Sequence, residues 1–265
     1  MSDLVLVERR GDAAVVSLNR PGKRNALSWP MLSELGQAVA EAGQQPDVRA
    51  VLVRGNGLGF SAGIDLNAFN DFDQAFGAAW RSHMLAVTDA FQASLNKVAH
   101  CQVPTIALLH GFTLGLGLEL ALACDLRIAA EGTQLALPEA RLGLIPDVGG
   151  TSRLTRLVGP GRAKELIFTG RVVDAATAER WGLVGEVVAA GRAALLERGL
   201  AVAAEIGRCA PLAVSAAKRV IEELADAQRG FGLEAWAQSQ LVQTEDFAAA
   251  LQAVAAKSTP RWLGR

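Results

Sequence analysis

The stretch that most limits what this chain can fold into runs from Thr105 to Asp125, TIALLHGFTLGLGLELALACD. Thr105 to Leu109 reads as a buried strand, announced by Pro104 and broken at His110-Gly111. The chain then restarts as a helix in which Glu119 is the only charged residue before Asp125. A helix apolar on every face is buried, and a glutamate is almost never fully buried unless something pairs with it or needs it. Gly115 and Gly117 stand just ahead of this acid, where a helix begins and unpaired N–H groups point outward. A carboxylate buried one turn into such a helix reads as a reaction site. The alternative is a core glutamate satisfied by an arginine or a backbone amide.

The rest of the sequence supplies the frame. Leu4–Val7 and Ala13–Leu18 alternate around Gly11-Asp12, a hairpin signal. A polar loop, Asn19 to Asn25, leads to a helix that Ser28 can cap, with Pro30 in its first turn, running to about Gly43. Ala50–Val53 is a short buried strand followed by a glycine-rich turn, Arg54 to Gly63. Asn67 to Gly77 reads as irregular and Trp80 to His100 as helical, followed by strands at Leu126–Ala129 and Gln134–Leu137. Helices are expected at Gly149–Val158, Gly161–Phe168 and Ala175–Trp181, with a last strand at Val184–Val188. From Gly191 to Lys257 the chain is Ala-rich and helical, broken at Cys209-Ala210-Pro211 and near Gly230. Strands alternating with helices, then helices alone, give an α/β class with a core over 1–190 and a helical subdomain over 191–265.

Composition excludes several functions. The 265 residues are 51% hydrophobic and 20% charged, enough for one large α/β unit with a sizeable core. A net charge of -1, without a Lys/Arg block, gives no footing for nucleic acid. Cys101, Cys124 and Cys209 are too scattered for a disulfide framework or a metal pair, and no metal site is expected. Asp3 and Glu8 interrupt the N-terminal apolar pattern, unlike a signal peptide. No apolar run approaches the ~20 residues that span a bilayer. A soluble, cytoplasmic protein with no membrane partner is expected.

Two glycine-rich turns follow strands, at Gly55–Gly63 and Gly111–Gly117, but neither has dinucleotide-fingerprint spacing and no phosphate-loop Gly-Lys-Ser/Thr is present. Gly59-Phe60-Ser61-Ala62-Gly63 matches a nucleophile elbow. That hydrolase reading needs a histidine after the acid, and His83, His100 and His110 all come too early. Both turns instead offer backbone N–H groups with little side-chain cover, and two such donors on one oxygen make an oxyanion hole. A second acid, Glu139, follows the apolar run Leu135-Ala136-Leu137-Pro138. Paired carboxylates in an apolar pocket repel, and one holds its proton near neutrality. Asp147 is a third acid just before a helix start, where an ordinary N-terminal cap is the competing reading.

These pieces together resemble the crotonase (enoyl-CoA hydratase/isomerase) superfamily. The likeness is carried by Phe60-Ser61-Ala62-Gly63-Ile64-Asp65-Leu66, by His110-Gly111-Phe112 through Glu119 to Asp125, and by Pro138-Glu139 through Gly149-Gly150-Thr151. Asn19-Arg20-Pro21 to Leu27 and Pro211-Leu212-Ala213 to Lys218 also fit, so it spans nearly the whole chain. The resemblance implies a spiral of ββα turns with a C-terminal helical trimerisation region, a homotrimer or homohexamer, and an acyl-CoA substrate without metal or redox cofactor. It implies that Glu119 and Glu139 add water across a 2-trans-enoyl-CoA to give the 3-hydroxyacyl-CoA, with the N–H groups of Ala62 and Leu116 on the thioester oxygen. By the same likeness Lys23, Arg24, Ala26, Gly63, Ile64, Asp65, Leu66 and Gly115 lie along the substrate and its CoA, and Lys257 near the CoA phosphates. Leu116 stands where the family usually has glycine, and Ser258-Thr259 replaces a basic pair often found there. Asp147 is the feature of dienoyl-CoA isomerases, which pair such an acid with the equivalent of Glu139. A double-bond isomerase is therefore the alternative activity, with a non-catalytic acyl-CoA-binding scaffold and a Ser61 hydrolase as remoter ones.

Overall fold

The computed structural model describes residues 3–70, 72–223, 235–236, 238–258 and 260. Strands β1 (Val5–Arg10) and β2 (Ala13–Leu18) form the expected hairpin, antiparallel, and helix α1 (Trp29–Gly43) follows. β3 (Ala50–Gly55), β4 (Thr105–Leu109), β6 (Leu126–Ala130) and β9 (Glu186–Val188) extend the sheet in the order β1-β2-β3-β4-β6-β9, every pair after the hairpin parallel. β2 and β4 are buried at every position, as expected of strands covered on both faces. Edge strand β1 carries Glu8, Arg9 and Arg10 in exposed or half-exposed positions, charges that blunt an unpaired edge.

A second sheet, small and three-stranded, has the order β5-β7-β8, from β5 (Phe112–Leu114), β7 (Gln134–Ala136) and β8 (Val173–Asp174). The chain alternates between the sheets: β4 lies in the large one, β5 in the small one, and helix α4 (Leu116–Ala123) closes the turn. β6 and β7 repeat the step. This corrects the reading of the stretch after His110, which passes through a three-residue strand before becoming a helix. β5 is too short to show a period of two.

Between the strands lie α2 (Phe72–Phe76), α3 (Met84–Ala99), α5 (Gly150–Thr169) and α6 (Ala175–Arg180). The segment expected to be irregular is instead a 3-10 turn, Leu66–Asn70, followed by α2. α5 is broken at Gly159, whose φ of +79° interrupts the helix before Pro160, as the two expected helices implied. The C-terminal part contributes α7 (Arg192–Gly207), α8 (Pro211–Glu223) and α9 (Glu245–Ala255); the break expected near Gly230 lies outside the described residues. α7 is not peripheral: Leu195 and Ala203 pack with Val15, Leu52, Ile106, Leu108 and Ile128 on one face of the large sheet. A Cβ at Gly199 would sit 2.5 Å from Leu52 Cδ2, so the glycine sets how closely helix and sheet approach. The opposite face of the sheet packs on α1, which packs on α3 and α3 in turn on α4, all within one hydrophobic cluster where the candidate site is found. Among the described residues no single helix is long and apolar enough to cross a membrane.

Candidate active site

Two backbone amides open the site. Gly115 adopts φ +53° at the entrance to α4, and Leu116 is the first helical residue. Its N–H precedes the helical hydrogen-bond ladder and has no acceptor among the described residues. The second amide comes from the glycine-rich loop. Asn25, fully buried and itself at positive φ, holds that loop: its Nδ2 donates to the carbonyls of Asn56 (2.7 Å) and Gly59 (3.0 Å). The Ala62 N–H, expected to bind the thioester oxygen, is already committed, donating to the Arg24 carbonyl at 3.0 Å. The Ile64 N–H, two residues on and beside the bridge that Ile64 forms with Leu27, has no acceptor among the described residues. Ile64 and Leu116 both line the central cavity. Gly63, at φ +92°, separates them: a Cβ there would lie 2.7 Å from the Leu114 carbonyl and 3.4 Å from the Leu116 nitrogen.

The acids converge on the same cavity. Glu119 is 2% exposed, and its Oε1 accepts from the N–H groups of Val148 (2.8 Å) and Gly150 (2.9 Å). It is therefore satisfied by backbone, the alternative raised from sequence, yet it also faces the cavity. A Cβ at Gly150 would sit 2.7 Å from that oxygen, so glycine is needed for the contact. Glu139 begins a 3-10 turn, Glu139–Leu142, directly after β7 and Pro138. Its Oε1 lies where a Cβ on Gly115 would be 2.8 Å away. Its Oε2 is enclosed and has no hydrogen-bond partner among the described residues. Burial, and then the negative charge of Asp147, push the Glu139 carboxyl up to about 8, so it carries its proton at neutral pH.

Asp147 lines the cavity as well. It does not act as the cap of α5, whose N-cap residue is Gly149. Its Oδ2 accepts from Thr88 Oγ1 at 2.9 Å, and its carbonyl accepts from Gln92 Nε2 at 2.6 Å. Thr88 and Gln92 were not singled out from sequence. The signal was available as two polar residues four apart, on the face of α3 that buries Val87, Phe91 and Leu95.

The far side of the cavity is apolar, formed by Phe69, Phe72, Met84, Val87 and Phe91, and Gln238 reaches it from the C-terminal part. Its open space is about 50 Å3, room for a few waters at roughly 10–15 Å3 each. Asp65 forms an ion pair with Arg20 (3.0 Å), which in turn donates to the Ala26 carbonyl, so both residues brace the loop. Leu66 starts the 3-10 turn after it, while Lys23 and Arg24 are exposed. Lys257, just after α9, is exposed and does not line the cavity. Ser61 is fully buried, its hydroxyl donating to the Asn25 carbonyl at 2.8 Å. No histidine is hydrogen-bonded to it, and His110 faces the Gly57 carbonyl instead, so the nucleophile elbow is not built.

A buried acid held by two backbone amides, a second acid kept protonated and two further amides on residues lining the same cavity suit proton transfer beside a carbonyl. The sequence comparisons agree in kind. The profile of the enoyl-CoA hydratase/isomerase family matches residues 8–265. The chain is 36% identical over 265 residues to the probable enoyl-CoA hydratase echA8 of Mycobacterium tuberculosis, covering 99% of each. It is 37% identical to the mitochondrial enoyl-CoA hydratase domain-containing protein 2 of Homo sapiens, over 94% of this chain and 85% of that one. In structure it is similar to the carnitinyl-CoA hydratase of Mycobacterium avium, with a TM-score of 0.86 and 35% identity over 100% of both chains.

Proposed function

Because this chain belongs to the enoyl-CoA hydratase/isomerase family, the crotonases, we propose that it hydrates 2-trans-enoyl-CoA thioesters to 3-hydroxyacyl-CoA. The observation that carries this reading is the pairing in one cavity of Glu119, fixed by two amides, with Glu139, raised to about 8. Water positioned by Glu119 attacks the β-carbon and gives that carboxylate a proton. Glu139 delivers its own proton to the α-carbon. The C=C bond becomes a single bond, one O–H and one C–H having been added, and passage of a proton from Glu119 to Glu139 resets the pair. Enolate charge on the thioester oxygen is taken up by the N–H groups of Ile64 and Leu116, a contribution of about 3–4 kcal/mol per donor in comparable holes. Coenzyme A is the substrate's handle in this chemistry, and no metal or redox cofactor takes part.

The test is loss of conjugated-thioester absorbance on mixing the protein with crotonyl-CoA. Glu119→Gln and Glu139→Gln should each slow it by about 10²–10⁴-fold. Unchanged rates in either variant would overturn the assignment. One observation favours a second reading: Asp147 shares the cavity with Glu139. A dienoyl-CoA isomerase would lose turnover of a dienoyl-CoA in Asp147→Asn and never hydrate crotonyl-CoA.

We place Lys23 and Arg24 along the CoA, since both stay exposed beside the loop that presents Ile64. Lys257 would meet CoA phosphates of a neighbouring subunit. The helical part from 191 onward takes two roles in this proposal. It covers the acyl site, as Gln238 and the Phe69–Phe247 ring contact (5.6 Å) suggest, and it mediates a homotrimer or homohexamer in the cytoplasm.

A further inference from the structure

α3 does more than wall the acyl chain. Met84, Val87, Thr88 and Phe91 stand on one face at helical spacing, and all four line the cavity. Three of them offer apolar surface. Thr88 spends its hydroxyl on Asp147 Oδ2 (2.9 Å), and one turn on Gln92 holds the Asp147 carbonyl at 2.6 Å. Both polar residues are buried, 1% and 7% exposed, on a face where packing alone would favour valine or leucine. A two-point grip, on side chain and backbone of the same residue, fixes the direction of the carboxylate and not just the loop.

We propose that Thr88, assisted by Gln92, is a positioning residue for the reaction, holding Asp147 so that its charge bears on Glu139. Helices α5 and α9 pack on the Glu139 turn. α5 follows Asp147 and carries Arg153, Arg156, Arg162, Lys164 and Glu165, with Arg153 turned to the Val148 carbonyl and Asn96. α9 opens with Glu245 and Asp246, and Glu119 of α4 lines the same cavity. Arg141, on its own turn, is turned away to the Thr169 carbonyl. Asp147 is the one of these whose charge acts to keep the Glu139 proton on. The Thr88 hydroxyl sustains that charge, because a donor to a carboxylate favours its ionised form. The inference rests on the reading of Glu139 as the proton donor.

The experiment follows kcat/KM for crotonyl-CoA hydration against pH in the full-length protein, for Thr88→Val, Thr88→Ser, Asp147→Asn and Thr88→Val/Asp147→Asn. In Thr88→Val the alkaline limb should move to lower pH by about half a unit or more, because Asp147 repels the ionised Glu139 less. Thr88→Ser should restore the wild-type limb. Asp147→Asn should move it in the same direction as Thr88→Val, and the double variant no further. A Thr88→Val limb in the wild-type place, or a double-variant shift equal to the sum of the singles, would sink the proposal. Where Thr88→Val lowers stability, its limb is read at a temperature at which circular dichroism shows it folded. Glu139→Gln separates the two levels. If it hydrates at the wild-type rate the assignment of the acid is wrong, whereas failure of the Thr88 arms alone leaves that assignment standing.

Discussion

At the scale of single residues, Glu139 is stable as a neutral acid and costly as an anion. Its carboxyl titrates at about 8 in the fold and at about 4.3 in an unfolded chain. Between those values the native state keeps a proton that the unfolded state has released. Its contribution to stability is therefore full below about pH 4, declines as pH rises and is gone above about 8. Glu139→Gln, always neutral, lacks this dependence. The urea midpoint of the wild type should fall relative to Glu139→Gln from about pH 5 to about pH 8 and run parallel above; equal midpoints across that range would contradict the raised titration. Much at this scale was legible in the sequence: a lone acid in an apolar helix behind two glycines, and a second acid after a strand and a proline. The Ala62 N–H, expected from sequence to bind the thioester oxygen, is taken by the Arg24 carbonyl, and the proposed donor lies two residues on. Ala62 and Ile64 flank the same glycine, and only the bond from Ala62 to the Arg24 carbonyl, across a loop pinned by Asn25, decides between them. That choice depends on a contact between residues nearly forty positions apart, which no local pattern encodes.

At the scale of elements, the longer helices and the short strands β7 and β9 were readable, whereas β5, β8 and α2 were not. β4 was readable because four apolar residues follow Pro104-Thr105. β5 and β8, of three and two residues, exist through partners in β7 and carry no periodicity of their own. The segment around residues 66–76 looked irregular because its order comes from rings packed on one another: Phe72 lies 5.1 Å from Trp80 and 5.9 Å from Phe91, and Trp29 5.2 Å from Phe76. Those rings limit the space open beyond the acids. Phe91→Leu keeps the face apolar while shortening it, at a cost of about 1.5 kcal/mol or a little more. The ratio of kcat/KM for a C8 over a C4 enoyl-CoA should rise several-fold in this variant. A ratio that stays put would place the acyl chain elsewhere.

At the scale of the molecule, α8 faces two ways. Inward, Lys218 Nζ meets Asp125 Oδ2 at 2.7 Å and the Val103 carbonyl at 3.2 Å, and Thr105 donates twice to the same carboxylate oxygen. Outward it presents Leu212, Val220 and Ile221, 85%, 56% and 65% exposed in the single chain. A helix anchored by a partly buried ion pair and carrying these exposed apolar side chains suits self-association. Sedimentation velocity should return the mass of a trimer or its double for the wild type, and Ile221→Glu should shift it toward the monomer. A wild-type monomer at micromolar concentration would overturn the expected assembly. The class of the fold and the helical end were legible beforehand. That α7 belongs to the core was not, because its alanines and leucines read the same whether they meet a sheet of their own chain or another subunit.

The placement of α7 also bears on how the protein is made. Every group proposed for the chemistry has been synthesised by Asp147, but one face of the large sheet stays uncovered until residues 192–207 arrive. On the ribosome, at about 5–20 residues per second, the chain spends several seconds with both acids made and Val15, Leu52, Ile106 and Leu108 open to water. In that interval the exposed strand faces, not the acids, govern whether the chain is handed to a chaperone or lost to aggregation.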